Sequence, residues 1–510
     1  MTTLKKMQKL LLFGLVALML FAPLLSCGAN PSTLPETSEE SESKTETETE
    51  TETETETETE TEEEIPEYVT LAGIPLSSYS IVNETEFEGL DLALQAILKN
   101  AFGDELSILS SPADRLEETP CLIIGHSEKV AGFYTYQFTG NRNKIFFSCY
   151  DAYAYKNAFL TFAEHIRQNN LTVNDLSTLN YTYDLPDRLE YLQDPSLLYM
   201  RWAADWETPA WMLDYDAKKE ALFSGNGTSD LWVEAHRADF LHYPENSLEA
   251  IISCYYMGVT AVEIDIYETK DGVLVLSHDS TLTRMTNVDD FIGQPGYPSN
   301  AKVSSWTYEQ LQDLRLKEGQ GGDGAALTDF RIATLEEALI FCKDRMFIIP
   351  DKADNWEYIW TDSVNSDVKY LFYDMQKTGN YESILLSYGI SDAATALRLQ
   401  AQIQLFSGTR PFIMLRVSTS TCIKAYNDLS ANAAGYYLMQ FGGNYNPNSN
   451  FEKLTEQYSG PVAAWTIGSG DSFNDHEPVW AEMMGRNIRF ILTNDPLGMV
   501  RYAAKIHSEP

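Results

Sequence analysis

The chain has 510 residues, 44% apolar and 12% aromatic, with 36 Lys and Arg against 75 Asp and Glu for a net charge of −39. That length exceeds one ordinary core and calls for two globular units, while the apolar content excludes wholesale disorder. The charge excludes nucleic acid as a natural partner and favours cations.

The acidic excess is uneven. Residues 36–67 carry −15 and residues 1–30 carry +3, so the remainder holds −27. Lys5, Lys6 and Lys9 precede an apolar run from Leu10 to Phe21, too short for a membrane span and typical of an export signal. Leu24-Leu25-Ser26-Cys27 follows and resembles the bacterial lipobox, in which the cysteine becomes the lipidated N-terminus. Residues 1–27 are therefore expected to be a lipoprotein signal peptide, and acyl chains on Cys27 to hold the protein on the outer face of a bacterial membrane. Thr-Glu dipeptides repeat from Thr45 to Glu62. Like charges at every second position swell a chain with nothing to bury, so residues 28–66 read as a disordered acidic stalk, up to about 125 Å long when extended. Cys121, Cys149, Cys254, Cys342 and Cys422 are odd in number and lack metal-type spacing, so no disulfide framework is implied and most read as small buried hydrophobes.

Residues 67–190 read as a small α/β domain. Ser78–Val82, Leu122–Ile124 and Ile145–Phe147 have strand character; Leu90, Leu94, Ile97 and Leu98 share a helix face, and a second helix runs from about Tyr153 to Gln168. In pattern rather than motif, this order resembles the small domain preceding the catalytic barrel of α-glucuronidases and β-hexosaminidases. His126 and His165 are isolated and read as structural. Residues 191–230 form a Trp- and Tyr-containing connector packed on the next domain. From 231 to 506 strand and helix alternate. Strands are expected at 231–235, 259–267, 346–351, 384–388, 411–417, 435–440, 462–467 and 488–493. Asn246 with Glu249, and Thr334 with Glu337, have capping-box spacing. Eight strands with helices between them predict a (β/α)8 TIM barrel, with its chemistry at the C-terminal strand ends.

On the second of these strands Glu263 and Asp265 alternate with Val262, Ile264 and Ile266, so both acids point inward. Two unpaired buried carboxylates would cost several kcal/mol each. They therefore require either an ion pair with Arg237 or Lys352 or a hard divalent cation, Ca²⁺ or Mg²⁺. His236-Arg237 ends strand one. A hairpin turn at Lys270-Asp271-Gly272 returns His278-Asp279 to the same mouth.

With His236-Arg237, Pro244-Glu245-Asn246-Ser247, Glu263-Ile264-Asp265, Thr269-Lys270-Asp271-Gly272, His278-Asp279, Leu282-Thr283-Arg284, Thr334-Leu335-Glu336-Glu337, Trp465-Thr466 and Thr493-Asn494-Asp495-Pro496 in order, the region 232–500 resembles the glycerophosphodiester phosphodiesterase family. The resemblance implies phosphodiester hydrolysis. Glu263 and Asp265 would ligate one divalent metal, Ca²⁺ or Mg²⁺. His236 would be the base, His278 the acid, and Arg237 the holder of the phosphoryl oxygens, with Lys352, Glu245 and Trp465 toward the substrate. The partner is then a small or polymeric phosphodiester, with the membrane met only through the lipid anchor.

One position departs. The family's third metal carboxylate stands in Glu-x-Lys, whereas this chain reads Pro350-Asp351-Lys352. Asp351 is expected to substitute as a metal ligand, through a local bend supplied by Pro350. The alternatives are a weak or inactive barrel serving as a surface binding or scaffold lipoprotein, and a glycosidase. The glycosidase lacks acids at the ends of strands four and seven, where Ser387-Tyr388-Gly389 and Ala464-Trp465-Thr466 stand. His242 reads as an exposed loop residue and Gly319–Gly324 as a flexible connection without the ending of a phosphate loop.

Overall fold

The structure, a computed structural model, describes residues 68–110, 118–125, 135–223, 230–352, 367–388, 412–417, 437–444, 462–466 and 475–508. The expected signal peptide with Cys27 and the expected acidic stalk, together with His126 and Cys422, lie outside the described residues.

The front domain is a six-stranded sheet in the order Ser107–Ile108, Ser80–Asn83, Cys121–Ile124, Lys144–Cys149, Tyr136–Asn141, Asn180–Tyr183, parallel at one end and antiparallel at the other. Helices Leu90–Phe102 and Ala152–Gln168 pack into its core through Leu90, Leu94, Leu98, Phe159 and Phe162. The strands Tyr136–Asn141 and Asn180–Tyr183 escaped the sequence pattern because each is half polar, with burial only on alternate residues or less. His165 faces the ring of Phe138 edge-on.

Eight parallel strands follow: Trp232–His236, Ala261–Glu268, Phe347–Asp351, Leu385–Tyr388, Phe412–Val417, Tyr437–Asn444, Val462–Trp465 and Ile488–Thr493. Each pairs with the next, strand three meeting strand four at Ile348 and Ile384, and strand eight pairs back with strand one. The ring closes, so the fold is a TIM barrel. Alternation sorts its side chains. Val262, Ile264, Ile266 and Ile348 join the outer, helix-facing core, while Trp232, Ala261, Phe347, Ile349, Leu385, Ala463 and Phe490 fill the interior. Tyr215 and Leu222 of the connector helix Tyr215–Phe223 plug that interior. The barrel floor is thus apolar, and polar chemistry is displaced toward the other end.

Two local expectations differ. Thr334 and Glu337 do form a capping box, but the helix Leu248–Met257 is capped by Ser247, whose side chain accepts from Ala250 N, not by Asn246. Asn246 instead adopts φ +54° and its amide faces Asp265. Cys121, Cys254 and Cys342 are buried as expected. The connector packs on the barrel through Trp202, which donates to Ser253, and Trp206, which donates to the Met257 carbonyl.

Candidate active site

Register brings the acids together. In the parallel pair of strands two and three, Glu263 lies opposite Ile349 and Asp265 opposite Asp351. All three acids therefore share one inward parity, and oxygens of Glu263, Asp265 and Asp351 lie within 4.8 Å of one another. The expected bend at Pro350 is not what aims Asp351. Pro350 pairs with Ile264 in regular register, and the chain departs from extended geometry two residues later, at Lys352, with φ +64°. That turn folds Lys352 back, setting its Nζ 3.2 Å from Asp265 Oδ1.

Asp265 is the most heavily braced acid of the three. Its backbone N donates to Asn246 Oδ1, and Asn246 Nδ2 donates to Asp265 Oδ2, each at 3.0 Å. Arg237 Nε stands 3.6 Å away. Glu263 Oε2 accepts from the backbone N of Arg237 at 3.0 Å. Burial, then the Asp265 and Asp351 charges, push the Glu263 carboxyl well above its ordinary value. Glu234, buried one step below His236 on the same face, adds to that push; a single Glu in an apolar strand gave no warning of it. Both candidate counter-ions, Arg237 and Lys352, are present, yet Glu263 remains strained toward its neutral form. A cluster of hard oxygen donors short of positive charge fits a divalent cation, and its all-carboxylate composition suits Ca²⁺ or Mg²⁺ chemistry rather than a thiophilic metal.

His236 ends strand one level with Glu263. Its Nδ1 lies 2.7 Å from Asn494 Oδ1, so the amide oxygen accepts from Nδ1–H and Nε2 keeps a lone pair. Burial and the adjacent Arg237 charge lower its pKa, and the Asn494 hydrogen bond partly opposes them. Asn494 is held in turn by Asp475, which accepts from Asn494 N and, through its other oxygen, from Thr466, Thr493 and Trp480. Nothing in the sequence linked Asp475 to the site, because its partners lie on two strand ends and a later helix.

His278 arrives as expected. The hairpin closes with Thr269 N donating to Val273 O, and Ser277 N donates to Asp265 O at 3.0 Å, tying the returning strand to the acidic one. His278 Nδ1 is 2.8 Å from Asp279 Oδ1. Asp279 Oδ2 accepts from Arg284 Nε at 2.6 Å, and Arg284 Nη2 donates to Glu245 Oε1 at 2.5 Å. Glu245 Oε2 accepts from Arg237 Nη1 at 3.0 Å. Glu245, buried to 1% side-chain exposure, thus clamps two arginines rather than standing free toward substrate or metal. Arg284 holds Asp279 below the ordinary carboxylate value, against the effect of burial.

The Gly319–Gly324 segment is ordered against this brace. Glu245 N donates to Gly319 O, Gly322 N to Arg284 O, and Arg284 Nη1 to Gln320 O. Gly321 has φ +66°, and a Cβ there would lie 2.4 Å from Arg284 O, so both backbone and space demand glycine. His242 is largely covered rather than exposed, with 9% of its side chain accessible, and its Nδ1 lies 2.8 Å from Asp239 Oδ1. Trp465 is half-buried at the end of strand seven.

Comparison with known proteins followed the same region. Residues 236–411 match the Glycerophosphoryl diester phosphodiesterase family. A glycerophosphodiester phosphodiesterase of Caldanaerobacter subterraneus subsp. tengcongensis is 33% identical over 119 residues, 23% of this chain and 42% of the relative. Glycerophosphodiester phosphodiesterase 1 of Mus musculus is 35% identical over 114 residues, 21% of this chain and 29% of the relative. The chain thus spans less than half the length of these relatives. A crystal structure of a glycerophosphoryl diester phosphodiesterase from Parabacteroides distasonis is similar at 23% identity and a TM-score of 0.42, covering 56% of this chain and 92% of that one. Residues 236–411, which carry His236, Arg237, the three acids and His278, are thus the part of the chain that is similar to the glycerophosphoryl diester phosphodiesterase family.

Proposed function

We propose that the protein is a metal-dependent glycerophosphodiester phosphodiesterase, carried to the outer cell surface by residues 1–27 and tethered there through lipidated Cys27. Its substrates are glycerophosphodiesters or glycerol-phosphate polymers of the envelope. The observation that carries this reading is the meeting of Glu263, Asp265 and Asp351 within 4.8 Å at the mouth where His236 and Arg237 end strand one.

Glu263, Asp265 and Asp351 would hold one divalent ion, Ca²⁺ or Mg²⁺. When bound, it supplies charge stabilisation to the phosphoryl oxygens. Arg237 serves the same oxygens: its Nε is buried without a hydrogen-bond acceptor among the described residues, while its Nη1 is fixed by Glu245. Lys352, held at Asp265, is a second cation within reach of an anionic substrate, and Trp465 forms part of the wall of the mouth.

His236, kept neutral by burial and by Arg237, takes a proton at Nε2 from the nucleophile, water or the adjacent glycerol hydroxyl. His278, oriented by Asp279 at Nδ1, delivers a proton from Nε2 to the leaving alkoxide. The inactive-barrel alternative rested on Pro350. The placement of Asp351 beside Asp265 supports a working variant instead.

The test is incubation of the protein with glycerophosphocholine, with calcium, magnesium or chelator. Release of glycerol phosphate that needs the divalent ion, and that Glu263→Ala and His278→Ala abolish, supports the reading. Binding without turnover across several glycerophosphodiesters sinks it.

A further inference from the structure

Arg201, a connector residue with 6% of its side chain exposed, lies where three segments meet. Its Nη2 donates to Asp151 Oδ2 at 2.7 Å, at the N-terminus of the front-domain helix Ala152–Gln168. Its Nη1 donates to the His242 carbonyl at 2.8 Å and lies 3.3 Å from Glu318 Oε1. The guanidinium also sits over the Tyr153 ring, 4.5 Å from its centre, and that ring meets the His242 ring edge-on. His242 is itself locked: Asp239, which holds it, accepts from Ser253, and Ser253 accepts from Trp202.

The two barrel loops gripped by Arg201 are those that carry the brace on the site. The loop containing His242 continues to Glu245, whose N donates to Gly319 O in the loop beginning at Glu318. Glu245 fixes Arg237 and Arg284, and Arg284 fixes Asp279, the partner of His278. A line of hydrogen bonds and ion pairs, joined by the short backbone segments 242–245 and 318–319, thus runs from Asp151 in the front domain to the imidazole of His278. A planar guanidinium can serve several acceptors at once where an ammonium, a compact point charge, cannot keep the same geometry.

We propose that the front domain is a positioning element of the active site: Asp151 and Tyr153, through Arg201, fix loops 239–246 and 318–322 and thereby the settings of Arg237 and His278. The three acids stand on barrel strands and meet this line through Asn246, which holds Asp265, and Arg237, which touches Glu263 and Asp265, so metal affinity is expected to depend on it less than kcat does. The kinetic side of the proposal rests on the phosphodiesterase reading above; the structural side does not.

The variant that separates the roles is Asp151→Asn. Asp151 Oδ1 accepts from Ala154 N as the helix cap, and asparagine caps as well as aspartate, so the helix keeps its start while Arg201 loses its charged partner in the front domain. In the full chain, hydrogen exchange is expected to quicken at least about fivefold at peptides covering 239–246 and 318–322 and to stay unchanged at 347–351. With glycerophosphocholine and saturating calcium, kcat is expected to fall about tenfold, and KM and the calcium affinity by calorimetry to change less than about threefold. Glu318→Gln moves the same loops from the barrel side, Asp151→Glu restores part of kcat, and Arg201→Lys restores none. Unchanged exchange at both loops overturns the proposal whatever the activity. So does a loss of activity that merely tracks the folded fraction in thermal melts. If the loops loosen but the wild-type protein hydrolyses nothing, the coupling stands and the enzymatic reading falls.

Discussion

Asp351 lies directly opposite Asp265 across the parallel pair of barrel strands two and three, and this registry, not a bend at Pro350, puts a third carboxylate at the mouth. Substituting Asp351→Asn is therefore expected to weaken divalent-ion binding about tenfold or more, read by calorimetry on the chelator-treated protein. Moving the acid instead, as Pro350→Glu with Asp351→Asn, is expected to restore nothing. Position 350 shares the outward parity of Ile348 and faces the helix layer, where an unpaired carboxylate costs several kcal/mol. Recovered ion binding in that double variant would contradict the registry.

His236 sets a pH signature. Its lowered pKa means that the base stays deprotonated further into acid, so the acidic limb of kcat/KM lies below the ordinary histidine value of 6.5. Asn494→Leu removes the largest of the interactions that oppose this lowering. The limb is expected to move lower still, while kcat/KM falls about tenfold for want of ring orientation. The stability sign follows: the unfolded chain takes up this proton first, so stability is lost as pH falls from 6.5 toward the lower folded value.

Arg284 bridges Asp279 and Glu245 with separate nitrogens. Arg284→Lys retains the charge but cannot keep both contacts, so kcat is expected to fall about tenfold to a hundredfold with little change in melting temperature. A lysine variant with wild-type kcat would remove the brace from the account.

The sequence pattern located all eight barrel strands because buried parallel strands are near-continuous apolar runs, and it placed Glu263 and Asp265 inward because strand parity is a local property. What it could not give was lateral register. Whether Asp351 faces Asp265 depends on how strand three aligns with strand two, and aligning on Lys352 misled because that residue sits in a left-handed turn outside the ladder. The same holds for Asn246. Its spacing to Glu249 imitates a capping box, yet Ser247 caps the helix, leaving Asn246 to hold Asp265 through contacts distant in sequence. Asp475 and Arg201 escaped for a like reason, since their partners are assembled only by tertiary folding.

A control lies away from the mouth. Thr334 caps the helix Leu335–Cys342 with Glu337 closing the box. Thr334→Ala is expected to cost about 1 kcal/mol of stability by denaturant titration and to leave kcat and KM as they are.

The most direct measurement of the central claim is a calcium titration of the chelator-stripped full chain, monitored by calorimetry and by glycerol phosphate release from glycerophosphocholine in parallel. One ion per chain, with activity rising along the same isotherm and both signals lost in Glu263→Gln, is the predicted result. Full hydrolysis in excess chelator, or ion binding that survives Glu263→Gln unchanged, would contradict it.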